Sequence, residues 1–270
     1  MGIAINSAAV TVMLLGSAAG LAAAHLCPES VAGWNAYVSA TEARIARELK
    51  SPRGFLALDF ASGAAAARQA LLSGEVVVEA VETTGARGEP IEVPSAMVHH
   101  WRGAMLIPGM TVARLIAELQ QGAPPTKQED VLESKVLERR PDWMRLSLKL
   151  QRKKIVTVVY NTEHVVMFAR WSSARATSAS TATKIVEVAD VNTPQERELP
   201  AGDDRGFLWR LNSYWRYEQV ANGVIAECES ITLSRSIPAV VRFVVRPLVE
   251  RTARESMTRT LVSLRARFSN

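Results

Sequence analysis

The sequence predicts an α+β fold: a curved antiparallel sheet holding a long C-terminal helix, preceded by an N-terminal helical extension. Three observations carry that prediction. Residues 207–220 (FLWRLNSYWRYEQV) alternate strictly between two faces, the period of a half-covered strand. Asn222-Gly223 then marks a tight turn, and residues 224–233 run back to complete a hairpin. Beyond it Met257, Leu261, Leu264 and Phe268 step by four, three and four, so the last helix has one apolar stripe and needs a concave sheet to lie in.

The start of the chain sets the address. Residues 1–26 contain no Asp, Glu, Lys or Arg, and an apolar run at 10–15 leads to Ala22-Ala23-Ala24. This is the pattern of a secretory signal cut after Ala24, with an uncut anchor as the alternative. Either places the rest outside the cytoplasm, periplasmic or secreted. Residues 1–24 are then signal or anchor, 25–73 a helical extension and 74–270 the main domain. The two cysteines are Cys27 and Cys228. An oxidising compartment permits a disulfide between them, the alternative being two separate thiols.

Pro28 begins a helix over 28–50, with Val31, Trp34, Val38, Ile45 and Leu49 as its apolar stripe. Residues 56–60 read as a short strand or turn, and 61–72 as an Ala-rich helix closed by Ser73-Gly74. No chemistry is visible in this extension. Residues 75–82 and 96–107 form a strand pair, after which Thr111 caps a helix over 112–121. From 131 the chain turns into strands at 131–138, 143–151, 155–160 running on through 164–168, and 175–188. Breaks fall at 139–142 and 161–162, and a polar loop spans 189–205.

In the hairpin, Trp209, Leu211, Ser213, Trp215 and Tyr217 share one face, and Arg210, Asn212, Tyr214, Arg216 and Glu218 the other. A turn at 222–223 pairs Ala221 with Val224, and Arg216 then faces Glu229, with Glu227 a diagonal neighbour. After Ser236-Ile237-Pro238 a helical piece covers 239–246, and Pro247 restarts the helix.

The stretches 98–103 (VHHWRG), 157–164 (TVVYNTEH) and 206–216 (GFLWRLNSYWR), with ECESITLSR-x-IP leading into the last helix, resemble the helix-grip superfamily. That superfamily contains START lipid-transfer domains, polyketide cyclases and aromatases, and plant pathogenesis-related proteins. Within it the chain looks similar to a group of bacterial exported proteins. The resemblance spans about residues 75–268 and leaves the N-terminal helices without a counterpart. It implies a curved sheet gripping the C-terminal helix, a cavity between them for an apolar ligand, and no common catalytic residues.

The expected function is therefore binding or transfer of a hydrophobic small molecule, lipid or polyketide-like, in an internal cavity. The alternatives are a cyclase- or hydrolase-type enzyme in the same cavity and an interaction protein with a filled core. Candidate ligand-binding residues are Trp101, Tyr160, His164, Trp209, Asn212, Trp215, Arg216 and Glu229. Turned inward, the Arg210–Arg216 row is a polar floor for a head group. Turned outward it is a solvated ladder with Trp209, Trp215 and Tyr217 in the core. Aromatic rows are usually core, so the outward reading is the expectation.

Glu163 beside His164 has the composition of an acid/base pair, and His99 and His100 with His164 that of a metal site. Neighbours on a strand point to opposite faces, so no catalytic residue, metal or cofactor is expected. Arg242 and Arg246 among valines could touch a membrane. The net charge of +5 comes from interspersed residues, which is no nucleic-acid footprint.

Overall fold

The computed structural model describes residues 26–122, 130–153, 157–236 and 242–268. Helix α1 (Pro28–Leu49), a 3₁₀ turn (Ala57–Phe60) and helix α2 (Ala64–Leu72) come first. Strands β1 (Val77–Ala80) and β2 (Ala96–Pro108) and helix α3 (Val112–Gln120) follow. Then come β3 (Val131–Arg140), β4 (Trp143–Lys153), β5 (Thr157–Arg170), β6 (Arg175–Ala189) and the two-residue β7 (Arg197–Glu198). Strands β8 (Arg210–Val220) and β9 (Gly223–Arg235) and helix α4 (Arg242–Phe268) close the chain. The sheet runs β1-β2-β9-β8-β6-β5-β4-β3, with β7 beside β6. Every pairing is antiparallel. The predicted α+β class and the C-terminal helix held by the sheet are both present.

The two faces of the sheet carry different covers. On one, Trp101, Met105 and Ile107 of β2, Val224, Ala226 and Cys228 of β9, and Trp215 and Tyr217 of β8 pack with α3 and with Met257, Leu261, Leu264 and Phe268 of α4. The predicted α4 stripe is thus the one that is used. On the other face, Ala104, Leu106 and Ile225 meet Phe55, Leu56, Leu58 and Leu71, while Tyr214, Ile231 and Leu233 meet Trp34 and Tyr37 of α1. Strands β2, β8 and β9 are covered on both sides, and the first seven residues of β9 are all buried, as for a central strand between two layers.

Two glycines set close approaches. A Cβ on Gly103 would lie 2.7 Å from Leu261 Cδ1 and 2.8 Å from Met257 Cγ, so β2 has a bare position where α4 presses on it. A Cβ on Gly223 would lie 2.1 Å from the backbone oxygen of Ile107. Gly223 therefore belongs to the β9 ladder, paired with Val220 and Pro108, and the hairpin turn is Ala221-Asn222. This corrects the expected register. Arg216 stands opposite Glu227, and Tyr214 opposite Glu229.

Other expectations also change. Of the strand-or-turn alternatives for 56–60 the turn is present, as the 3₁₀ turn Ala57–Phe60. Strand β5 passes through Asn161-Thr162 without a break, and the irregularity lies across from it, where Thr183 of β6 is skipped between Glu163 and His164. Helix α4 is continuous through Pro247. Cys27 and Cys228 are free thiols. Residues 1–25, the signal or anchor segment, and the side chains of Arg242 and Arg246 lie outside the described residues. Among the described residues, no helix is long and apolar enough to cross a membrane.

Candidate functional site

The eight sequence-derived candidates divide between the two faces. Trp101, Trp215 and His164 face the α4 side. Trp215 stacks on Tyr217 with ring centroids 6.1 Å apart. His164 is sealed in, with Nε2 3.0 Å from Thr162 Oγ1 and Nδ1 3.3 Å from Ser180 Oγ. Burial alone pushes its imidazole down to about 4, so it is neutral at ordinary pH. Glu163 points to the opposite face, as strand alternation requires, and the acid/base pair is not assembled. The three histidines do not meet either: His99 Nε2 lies 2.9 Å from Ser234 Oγ, while His100 faces the α1 side.

Asn212, Arg216 and Glu229 lie on the face away from α4, as expected, but they are not solvated. Helix α1 and the 3₁₀ turn cover them, and Arg216, Glu227 and Glu229 are each no more than 3% exposed. A paired network replaces the expected ladder. Arg216 donates to the Phe55 carbonyl (2.9 Å) and to Glu48. Arg44 donates to Glu48 and to Glu229. Glu227 accepts the backbone N–H groups of Ala57 (2.6 Å) and Leu58 (2.9 Å), so a strand carboxylate caps the 3₁₀ turn. Trp209 joins this side too, packed with Trp34 and donating from Nε1 to Asp204 at 3.1 Å. It precedes β8, so the alternation that sends Trp215 towards α4 does not extend to it.

A directional chain runs through the same layer. The Thr83 N–H donates to the Tyr37 hydroxyl (2.9 Å), which lies 3.0 Å from His100 Nδ1, and His100 Nε2 lies 2.7 Å from Glu229 Oε1. The Glu229 carboxylate can only accept, so Nε2–H donates to it. Burial works to raise the Glu229 carboxyl, but the His100 hydrogen bond and the Arg44 and Arg216 charges outweigh it and hold the group at about 2. Sequence reasoning missed Tyr37, Arg44 and Glu48. Their signal was a second, polar line on α1, with Ser30, Tyr37, Thr41, Arg44 and Glu48 at helical spacing.

The remaining candidate, Tyr160, has a different setting. Two hollows among the described residues bear on it. One, about 450 Å³, lies over β3–β6 among Lys149, Glu163, Lys184 and Glu198, where Lys149–Glu196 and Lys184–Glu198 pairs already satisfy the charges. The other, about 380 Å³, lies between strands β5 and β6 and the segment leading into β8. Leu26, Ile185, Leu199, Pro200 and Leu208 give it apolar sides, and Tyr160, Glu187, Asp204 and Arg210 supply the polar groups. Glu187 and Asp204 are engaged, by the Arg205 and Gly206 N–H groups respectively. The Tyr160 hydroxyl is buried and has no hydrogen-bond partner among the described residues. Burial, with the Glu187 and Asp204 charges, raises its ionisation well above the phenol's usual value, so it remains an O–H donor.

No protein-family model matches the chain, and no curated protein does. Among solved structures it is similar to a STAR-related lipid transfer protein from Xanthomonas axonopodis, at 15% identity over 72% of this chain and 99% of that one, TM-score 0.45. It is also similar to human STARD10, at 9% identity over 76% and 79%, TM-score 0.41. A third similar structure is the Zhui aromatase/cyclase from Streptomyces sp. R1128, at 8% identity over 64% and 93%, TM-score 0.40.

Proposed function

We propose that the protein binds a hydrophobic small molecule, lipid or polyketide-like, in the hollow beside Tyr160. One observation carries the reading: a buried phenol with an unused donor stands in the wall of a hollow whose other polar groups include the already engaged Glu187 and Asp204. A buried polar group without a partner costs about 1–3 kcal/mol, and a ligand acceptor that pushes in to meet it recovers that cost. Apolar burial would supply most of the affinity, at roughly 25 cal/mol per Å². Among the described residues no pair on the α4 side is arranged for acid/base chemistry, and binding or transfer without turnover fits that geometry better than catalysis. The charge-free stretch 1–26 supports an address outside the cytoplasm, periplasmic or secreted.

The test has two parts. Native mass spectrometry of protein taken from its host is expected to show one apolar adduct per chain, released by solvent. Tyr160→Phe is expected to weaken binding about tenfold, one lost hydrogen bond against an unpaired ligand acceptor. In the ligand-free protein the same change removes an orphan, so thermal stability should hold or rise. A bare chain that no lipid stabilises in a melt screen would sink the reading.

A further inference from the structure

At the ends of the strands away from the hollow, the β3–β4 turn and the β5–β6 turn lie side by side. Trp143 stands directly opposite Met167, and Val165 and Ala169 flank Met167 on the same face of the sheet. Met167 is 47% and Trp171 48% exposed. The Trp171 indole is tied to that face by its Nε1–H, which donates to Thr177 Oγ1 at 3.1 Å. The N-terminal helices cover the β2, β9 and β8 part of the face and leave this corner bare. Exposed apolar side chains grouped in this way mark a contact surface.

The charges around the corner say what the contact is. Arg140 and Arg145 share its face, and Arg139 and Arg170 lie at its rim on the reverse face, all exposed. Arg140 lies 5.1 Å over the Trp143 ring and is paired with Glu138, and Arg139 is bonded to the Gln121 carbonyl. Arg145 and Arg170 have no ion-pair partner among the described residues. The acids nearby are Glu138, opposite Arg145 in the ladder but paired with Arg140, Glu163 two residues from Val165 on the same face, and Asp142. Indole, thioether and unpaired guanidinium together suit a bilayer surface, where aromatic rings sit at head-group depth and arginines meet lipid phosphates. A second copy of the same corner would bring its own arginines against these, so like charge opposes self-pairing.

We propose that this corner docks on an anionic lipid surface, with Trp171 and Met167 entering the head-group layer and Arg145 meeting the phosphates. The hollow then faces away from that membrane.

The experiment uses the full chain with phosphatidylcholine vesicles containing or lacking about a third phosphatidylglycerol, which separates the electrostatic attraction from apolar adsorption. Brominated acyl chains report depth by quenching tryptophan fluorescence. The difference between the natural chain and Trp171→Phe isolates Trp171. The expected result is quenching of Trp171 with anionic vesicles, weakened by salt. Arg145→Gln should lower partitioning about fivefold, the factor for one basic residue at such a surface, and Arg170→Gln, on the reverse face, should lower it less. Equal behaviour on neutral vesicles overturns the proposal. So does a chain that sediments with vesicles through residues 1–26 while Trp171 stays unquenched. If the same substitutions instead abolish a dimer in sedimentation, the corner belongs to a second copy and the lipid assignment falls.

Discussion

Arg216 is a charge whose partners come from three separate parts of the chain: Glu48 in α1, the Phe55 carbonyl beyond it, and Glu227 across the β8–β9 ladder. A buried guanidinium costs several kcal/mol to desolvate, and the pairs repay it only while all of them persist. Arg216→Met takes the buried cation from Glu227 and leaves Glu48 with Arg44 alone. Its expected cost is about 3–5 kcal/mol in chemical denaturation. Two buried groups add a pH dependence in separable windows. His164 is held neutral, so below its ordinary 6.5 the unfolded chain takes up a proton that the folded one refuses until about 4. Stability is therefore lost as pH falls across that range, by about 3 kcal/mol at most, and His164→Asn is expected to flatten it. Glu229 is held ionised, so its contribution is full above its ordinary 4.5 and disappears as pH falls towards about 2. Glu229→Gln is expected to remove that lower step while leaving the upper one. Denaturant melts at a series of pH values read both.

Element boundaries followed from periodicity, but contacts between elements did so less often. The α4 stripe, the Thr111 cap (whose Oγ1 accepts the Arg114 N–H at 3.2 Å) and most strands were legible because one face of each is apolar or one residue type dominates the end. Helix α1 was legible as a helix, and Trp34, Val38, Ile45 and Leu49 of its apolar stripe do pack, but the polar half of its inner face was not legible. A polar line at helical spacing looks like a solvent face until it meets another polar row. The β8–β9 register was misread because Asn-Gly is the strongest turn signal in a local reading, whereas Gly223 serves a contact with β2, more than a hundred residues upstream in the chain. That contact makes a ranking testable. Gly223→Ala drives a methyl into the Ile107 backbone, where nothing yields, at an expected cost of about 3 kcal/mol or more. Gly103→Ala meets side chains of α4 that can shift in part, at about 1–3 kcal/mol. Thermal melts of the two variants give the order directly.

At the scale of the whole molecule, the sheet is open and must manage two edges. β1 is four residues long, too short to template much pairing. β3 is longer, but its register shifts twice, between Val131 and Glu133 and between Val136 and Glu138, and bulges of this kind spoil an edge for further strands. The class of fold was legible from the order of periods along the chain. Of the candidate site only Tyr160 itself was singled out, since an orphan hydroxyl is a property of what surrounds it and no residue type announces it. The N-terminal layer has a consequence in time. Glu48 waits for Arg216 and Arg44 for Glu229, partners 168 and 185 positions further on. At a synthesis rate of roughly 5–20 residues per second, that wait is on the order of ten seconds or more. Through it, α1 carries an arginine and glutamate face with nothing to oppose it except Arg44 and Glu48 on each other. The helix that is made first can be seated only among the last, and it keeps itself soluble meanwhile with the same charges that later lock it down.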